Sequence, residues 1–438
     1  MNATADARVA RHILQRLGEG GQPPEHGILS INVGNESYLK ILRHEYFENL
    51  LQLGASFKLV QGYFGAGKTH FLYCVRELAW EHGFATAVVE LSPSECPYDD
   101  SFKVYRAVVG RIALRSKALL SAPSYGIADL IRDRVDDELD RATAQLKEAG
   151  TPSADSEARA AVDQWLRRTV GRAACESHSF RQAIVAFGRA YLAGNDATEQ
   201  LVAAWLMGEP VPPGPLREVG VYEQLGKTNG FTMLRCLTQM VIALGLPGTA
   251  LLFDEVDRNL SVSAKRSHAI GDNLRQVIDL CGRHQLPNTL FMYAVPPEFM
   301  RNVVPDYPAL YQRLKSPVPL SVRSPQSVLI DLERLDLDPT ELLRQLAGRI
   351  VTIFEQARGT TLDKPLQNTN AERLASAAVN AYFEVNHRRL FVKAWTDLLS
   401  QQLVDGESEL SEDAARERIA GSNDSLRTKA DGDDFEDF

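Results

Sequence analysis

The sequence predicts an α/β protein built on a parallel sheet, and three observations predict it. Short apolar stretches typical of buried strands occur at 56–61, 83–92, 249–257 and 288–298. Stretches with helical periodicity lie between them. A glycine-rich stretch, GYFGAGKTH at 62–70, follows the first predicted strand directly and precedes a predicted helix. Strands that alternate with helices favour a parallel sheet, which binds ligands at the carboxyl ends of its strands.

Composition and charge exclude several classes of protein. The chain has 438 residues and a net charge of −9, so any contact with nucleic acid requires a local basic face. Its five cysteines form no CxxC pair, which argues against a disulfide framework and a zinc site. Neither a signal peptide nor an apolar run of about 20 residues is recognisable, so we expect a cytoplasmic protein that does not bind membranes.

The glycine-rich stretch fits the pattern G-x-x-x-x-G-K-[ST], with Gly62, Gly67, Lys68 and Thr69 at its fixed positions. Glycines let successive backbone N–H groups point at phosphate oxygens, and the lysine reaches the β- and γ-phosphates. The helix that follows directs the positive end of its dipole at the same place. The sequence therefore predicts a P-loop for ATP. Its predicted nucleotide-binding residues are Gly62, Tyr63, Phe64, Gly65, Ala66, Gly67, Lys68, Thr69 and His70.

A second strand of such a protein ends in carboxylates, and TALLFDEVD at 249–257 has this form. Asp254 is predicted to hold Mg²⁺ together with the hydroxyl of Thr69. Glu255 is predicted to polarise the attacking water, as in an ATP hydrolase. With Lys68, these residues form the predicted catalytic group.

The order of segments predicts six parts. The helix expected at 101–120 and a short edge strand expected at 316–322 belong to the nucleotide-binding core. The acidic end of the chain is interpreted as a disordered tail, or alternatively as a segment that docks on a basic partner. The predicted parts are a helical lead-in at 1–57, the first part of the core at 58–118, a helical insertion at 119–248, the second part of the core at 249–325, a helical lid at 326–410 and the tail at 411–438.

This order resembles the AAA+ superfamily, which implies an AAA+-like P-loop NTPase with a parallel sheet, a helical insertion and a C-terminal all-helical lid. The stretch YPALYQRLKS resembles the helix that carries the arginine finger, which implies Arg313; a surface arginine is the alternative. The stretch VNHRRLFVKAW resembles the lid motif that senses the γ-phosphate, which implies Arg388, with Arg389 in reserve. The strand at 288–298 departs from the family, because it offers only Tyr293 where a small polar residue is usual.

A closer resemblance covers the chain to about residue 405. The P-loop continued by HFL, the stretch VELSP, and an acidic stretch followed by KVYRAVV resemble the BrxD-type ATP-binding proteins of BREX phage-defence systems. The lead-in at 28–42 is also similar to that family. The resemblance implies an ATPase that acts beside other BREX defence proteins to restrict phage DNA. His70 belongs to the signature and faces either the nucleotide or the helix surface.

Two hypotheses remain for what the predicted ATPase acts on. Basic residues at 101–120 and 165–173 suggest a surface for double-stranded DNA, although a solvated basic face is the simpler explanation for the first stretch. In the first hypothesis the chain is a motor that forms a homo-oligomer, hydrolyses ATP and remodels DNA or a DNA-bound partner. In the second it is a nucleotide-gated interaction switch with little turnover. The basic residues of the first stretch are Lys103, Arg106, Arg111, Arg115 and Lys117.

Overall fold

The computed structural model describes residues 3–19, 23–92, 96–117, 121–254, 264–282, 286–305, 308–314, 318–335, 337–381 and 387–433. Helices dominate this part of the chain. They are α1 Ala3–Gly18, α2 Glu36–Ile41, α3 Lys68–Glu81, α4 Ser101–Arg111, α5 Ile127–Glu148, α6 Ala154–Arg168, α7 His178–Ala193, α8 Asp196–Leu206, α9 Pro213–Glu218, α10 Gly230–Ala243, α11 Ala264–Gly282, α12 Pro308–Leu314, α13 Pro339–Arg358, α14 Lys364–Asn380, α15 His387–Asp405 and α16 Glu412–Asp433.

In the described part of the chain, six strands form one sheet in the order β3-β2-β4-β5-β1-β6. All neighbours run parallel except β2 and β3. The strand before the P-loop, β1, is separated by β5 from β4, the strand that ends at Asp254. The predicted α/β fold on a parallel sheet is therefore confirmed, with β3 as the antiparallel exception. The strands are β1 Ala55–Gln61, β2 Ala85–Glu90, β3 Ile112–Ala113, β4 Thr249–Asp254, β5 Thr289–Val295 and β6 Leu329–Asp331.

Alternation along β1 shows how the sheet is covered on both faces. Phe57 and Leu59 lie in a large core with α4, α10 and α11, whereas Val60 lies in a core with α2 and α3. The first core continues without a break into α5, α7 and α8. The helices between β3 and β4 therefore pack on the sheet through shared apolar side chains, although the sequence places them in an insertion.

The lid helices form a third core, which α1 also joins. Buried side chains of α1, α13, α14, α15 and α16 make up this cluster. The predicted signals at the ends of α13 are used as expected, because Asp338 accepts hydrogen bonds from the N–H groups of Thr340 and Glu341, and Gly359 ends the helix with a φ of 65°. The N-terminal segment is thus anchored on the lid.

The predicted disorder of the tail is wrong for residues 412–433. This segment is α16, and Ala415 and Ile419 are fully buried against the lid helices. The backbone just before it is also anchored, because Arg373 donates a hydrogen bond of 2.7 Å to the carbonyl oxygen of Leu410. Burial of these apolar positions stabilises the helix despite its many charges. Residues 434–438 lie outside the described part.

Two predicted elements of the core differ in the structure. The helix expected at 101–120 ends at Arg111, because Ile112 and Ala113 are buried as an antiparallel edge strand beside β2. The predicted strand at 316–322 is wrong in its described residues, where an isolated bridge joins Ser321 to Ser324. The edge strand is β6 instead, which pairs with β1. Prolines in the earlier stretch cannot donate the hydrogen bonds that a strand requires.

No helix among the described residues is both long and apolar enough to span a bilayer.

A buried lysine in β1 makes the stability of the fold depend on pH. Lys58 is 1 % exposed, and its Nζ donates to the hydroxyl of Tyr46 at 2.5 Å and to the carbonyl oxygen of Ser327 at 2.7 Å. Burial lowers the pKa of Lys58 from 10.5 to about 7. The unfolded chain therefore binds a proton that the folded chain lacks between these two values.

The free energy of unfolding is accordingly expected to rise from pH 7 upward, by as much as about 1.4 kcal/mol per pH unit from this residue. Lys58→Met removes the titrating group, so its curve of stability against pH should be flatter than that of the wild type. Urea unfolding of both proteins near pH 7 and near pH 9 measures the difference. Parallel curves would contradict the prediction.

Candidate nucleotide site

The P-loop has the shape that its glycines predict. Gly65 and Gly67 have φ values of 80° and 90°, which disfavour any side chain. A Cβ at Gly62 would lie 2.9 Å from the Cβ of Ala66, so the loop is too tight there for another residue. Gly67 caps α3, which begins at Lys68. The loop therefore leaves the N-terminal N–H groups of α3 facing the cavity at the carboxyl edge of the sheet.

Lys68 is held inside this loop. Its side chain donates hydrogen bonds to the carbonyl oxygens of Gly62 at 3.0 Å and Tyr63 at 3.3 Å, and the residue is only 8 % exposed. The N–H group of Tyr63 in turn donates to a carboxylate oxygen of Glu333 at 2.8 Å. The segment after β6 thus fixes the start of the loop, and the loop fixes the ammonium group at its centre.

The structure brings together two residues that are far apart in sequence, Thr69 and Asp254. The Thr69 hydroxyl donates a hydrogen bond of 2.5 Å to Oδ2 of Asp254. Asp254 is 6 % exposed and ends β4, while Thr69 lies in the first turn of α3. A hydroxyl and a carboxylate are oxygen ligands of the kind that Mg²⁺ prefers, directly or through water. These two residues therefore fit the predicted metal position.

The lid reaches the P-loop through Arg388. This guanidinium donates to the carbonyl oxygen of Ala66 and, at 3.3 Å, to that of Leu332. Burial lowers the pKa of Arg388 below its usual range, and the nearby Glu333 carboxylate opposes this shift. Arg389 lines the same cavity. Arg388 therefore bridges the loop, the segment after β6 and the lid.

His70 lines this cavity one residue after Thr69. Burial, with a smaller effect of the neighbouring Arg388 charge, lowers the pKa of His70 to about 4. The imidazole is consequently neutral near pH 7. Of the two predicted positions for this side chain, the structure shows the one that faces the cavity.

The cavity has a volume of about 860 Å³ and is closed on one side by residues that sequence reasoning missed. Asn35 on this wall is 6 % exposed, and its Oδ1 has no hydrogen-bond partner in the described part of the chain. An apolar wall beside the phosphate-binding loop is of the type that encloses a base. No sequence signal marks this wall, because its parts come from α13, α15 and the segment before α2. Its apolar residues are Ile31, Val33, Leu342, Leu346, Ile350 and Val392.

Three predicted site residues of the described chain do not line the cavity, namely Gly62, Tyr63 and Arg313. Tyr293 is 1 % exposed and stacks on Phe253 with ring centroids 4.6 Å apart, so it belongs to the core. Arg313 forms a two-pronged ion pair with Asp279 of α11, at 2.5 and 3.0 Å. Glu255 lies outside the described residues. Phe64, in contrast, lines the cavity and is 54 % exposed.

The basic residues at 101–117 do not form one continuous face. Arg111 lines the cavity, Arg115 pairs with Glu77 at 3.7 Å, and Lys117 pairs with Asp137. Lys103 and Arg106 are exposed on α4. The helix ends before Arg115, so the predicted helical spacing does not continue to it.

Comparisons with known proteins identify the family. A solved structure titled as that of the Aeropyrum pernix ORC2 protein in ADPNP–ADP complexes is similar with a TM-score of 0.43 and 11 % identity, over 89 % of this chain and 67 % of that chain. None of the curated proteins matches the sequence. Residues 6–415 match the family described as BREX system ATP-binding protein BrxC/D. The chain therefore belongs to the BrxC/D family of BREX system ATP-binding proteins.

Proposed function

We propose that the chain is an AAA+-type ATP hydrolase that works with other proteins of a BREX defence system. The contact between Thr69 and Asp254, beside the ammonium group of Lys68, carries this proposal. It joins the phosphate-binding loop to an acidic strand end, which is the arrangement that phosphoryl transfer requires. Family membership supports ATP as the nucleotide.

Each side chain of the site has a proposed role. The N–H groups of the loop and of α3 bind phosphate oxygens, and Lys68 neutralises charge on the β- and γ-phosphates. Thr69 and Asp254 hold Mg²⁺, which supplies further neutralisation of the phosphates when bound. Arg388 senses the γ-phosphate, because it already connects the lid to Ala66. Glu255 follows Asp254 directly in sequence and polarises the attacking water.

The proposed working form is a homo-oligomer in which Arg313 serves the site of a neighbouring copy. Within its own chain, Arg313 is held by Asp279 and does not line the cavity. A guanidinium supplied by a second subunit stabilises the charge of the transferring phosphoryl group. The ion pair with Asp279 then fixes the orientation in which α12 presents the arginine.

The proposed ATPase acts on double-stranded DNA or on a partner bound to it. Exposed Lys103 and Arg106 on α4 and exposed Arg168 and Arg172 near the end of α6 support local contacts with phosphates. Arg167 contributes less, because Asp163 pairs with it at 2.8 Å. Such contacts predict binding that weakens with salt and that reads no base sequence.

A nucleotide-gated switch is the second candidate, and the position of Arg388 favours it. Because this residue joins the lid to the P-loop, ATP binding alone is able to bias the lid without turnover. The switch predicts tight ATP binding, slow hydrolysis and defence that survives Glu255→Gln.

ATP turnover by the wild type and by Glu255→Gln separates the two candidates. We expect the wild type to hydrolyse ATP, double-stranded DNA to raise the rate, and Glu255→Gln to bind ATP but turn over about 10²-fold or more slowly. Light scattering should show an oligomer that the variant retains in ATP. Negligible turnover by both proteins in every mixture, with ATP binding intact, would contradict the hydrolase and favour the switch.

A further inference from the structure

A carboxylate that neither motif includes lies at the same site, at the end of β2. Within the described part of the chain, the cavity is lined by three carboxylates, Glu25, Glu90 and Asp254. Asp254 accepts the hydrogen bond of Thr69. Glu25 is held by Arg76, which donates to it at 2.8 Å. Glu90 is the third of them, and it ends β2, the strand next to β4.

The sheet places Glu90 directly beside Asp254. The two residues are register partners in the parallel pair of β2 and β4, whose strands lie about 4.8 Å apart. The next N–H group along β2, that of Leu91, donates to the carbonyl oxygen of Asp254 at 3.0 Å. The strands β2 and β4 therefore end in register, with Glu90 and Asp254 as adjacent last residues.

Alternation along β2 shows which face Glu90 shares. Thr86 and Val88, two and four residues earlier, line the same cavity. Ala87 and Val89 lie in the core on the opposite face of the sheet. Since side chains of a strand alternate between faces, Glu90 belongs to the face that carries α3 and the P-loop. The residue is also exposed, so water reaches it.

We propose that Glu90 is a further catalytic carboxylate, which accepts a hydrogen bond from the water that attacks the γ-phosphate. This inference rests on the proposed hydrolase function and adds a residue from a second strand to it. Both side chains line the cavity, and that of glutamate is one methylene longer than that of the neighbouring aspartate. Asp254 then holds the metal, while Glu90 and Glu255 each accept a hydrogen bond from the attacking water.

The proposed hydrolysis step conserves atoms and electrons. The water oxygen forms a bond to the γ-phosphorus, and the bond from that phosphorus to the β,γ-bridging oxygen breaks with its electron pair going to ADP. The proton lost by the water passes to a carboxylate oxygen of Glu90 and from there to solvent. The products are ADP and inorganic phosphate.

Glu90→Gln in the full chain tests the proposal, because glutamine keeps the size of the side chain and cannot take the proton. The expected result is a fall in ATP turnover of about 10²-fold or more, with the dissociation constant for ATP and the melting temperature close to those of the wild type. Glu209→Gln is the matched control, since Glu209 is exposed after α8 and does not line the cavity. It should turn over ATP at the wild-type rate.

The double variant Glu90→Gln, Glu255→Gln shows whether the two residues act on one water. If they do, the double variant should be little slower than the slower single variant. Turnover by Glu90→Gln within threefold of the wild type would overturn the role of Glu90 and leave the hydrolase proposal standing. A loss of ATP affinity or melting temperature that accounts for the slower turnover would also overturn it, in favour of a structural role. A wild type without turnover in any mixture would overturn both proposals.

Discussion

Lys68→Ala is expected to abolish ATP hydrolysis and to weaken ATP binding by about 10²-fold or more. The ammonium group of Lys68 lies inside the P-loop and donates to the carbonyl oxygens of Gly62 and Tyr63, and the residue as a whole is 8 % exposed. A hydrogen bond between charged partners is worth about 1.5–3 kcal/mol, and the lysine reaches two phosphates. Its removal also takes away a cation that stabilises the charge that develops in phosphoryl transfer.

Titration with a fluorescent ATP analogue measures the binding, and phosphate release measures the turnover. Lys147→Ala is the control, because this exposed lysine lies at the end of α5 and pairs only with Asp155 at 3.3 Å among the ion pairs that the structure describes. Wild-type affinity in Lys68→Ala would show that nucleotide binds elsewhere, and the P-loop assignment would then be wrong.

Asp254→Asn is expected to lower ATP turnover by about 10²- to 10³-fold and to abolish most of its dependence on Mg²⁺. Asparagine still accepts the hydrogen bond that Thr69 donates at 2.5 Å, so the folded structure should persist. The lost charge is the one that we propose holds the metal, since Mg²⁺ binds through one or two carboxylates together with the phosphates. Turnover measured across a series of Mg²⁺ concentrations checks the prediction.

Asp331→Asn provides a matched control for this experiment. Asp331 ends β6 at the same edge of the sheet and is 4 % exposed, but it does not line the cavity. Its carboxylate accepts from the N–H group of Glu333 at 3.1 Å and pairs with Arg334 at 3.4 Å. The control should therefore keep its turnover and its Mg²⁺ dependence. Equal effects of the two substitutions would contradict the prediction. They would indicate that replacing any aspartate at the end of a strand lowers turnover, whether or not it lies at the metal position.

The sequence alone determined the local parts of the site. The spacing of Gly62, Gly67 and Lys68 predicts the loop that the structure forms, and the apolar run before Asp254 predicts β4. These predictions hold because the information is local: a positive φ requires glycine, and a helix requires a start signal next to it. The ends of α13 were predictable for the same reason.

Only the tertiary structure decided which distant residues share the cavity. The apolar wall combines Val33 with Leu346 and Val392, and no spacing in the sequence relates them. Glu90 gains its place beside Asp254 from strand order, which depends on how the sheet is assembled and not on either strand by itself. The structure also shows that Tyr293, the residue at which the sequence departs from the family, is buried in an aromatic core.

The tail shows the physical reason for this division. Composition predicts disorder at 411–438, because charge is high and apolar residues are few. Ala415 and Ile419 nevertheless find a complementary lid surface, and their burial outweighs the unfavourable composition of α16. Backbone preferences depend on neighbouring residues, so they can be predicted from the sequence. Burial of a side chain depends on a partner surface that exists only once the chain has folded.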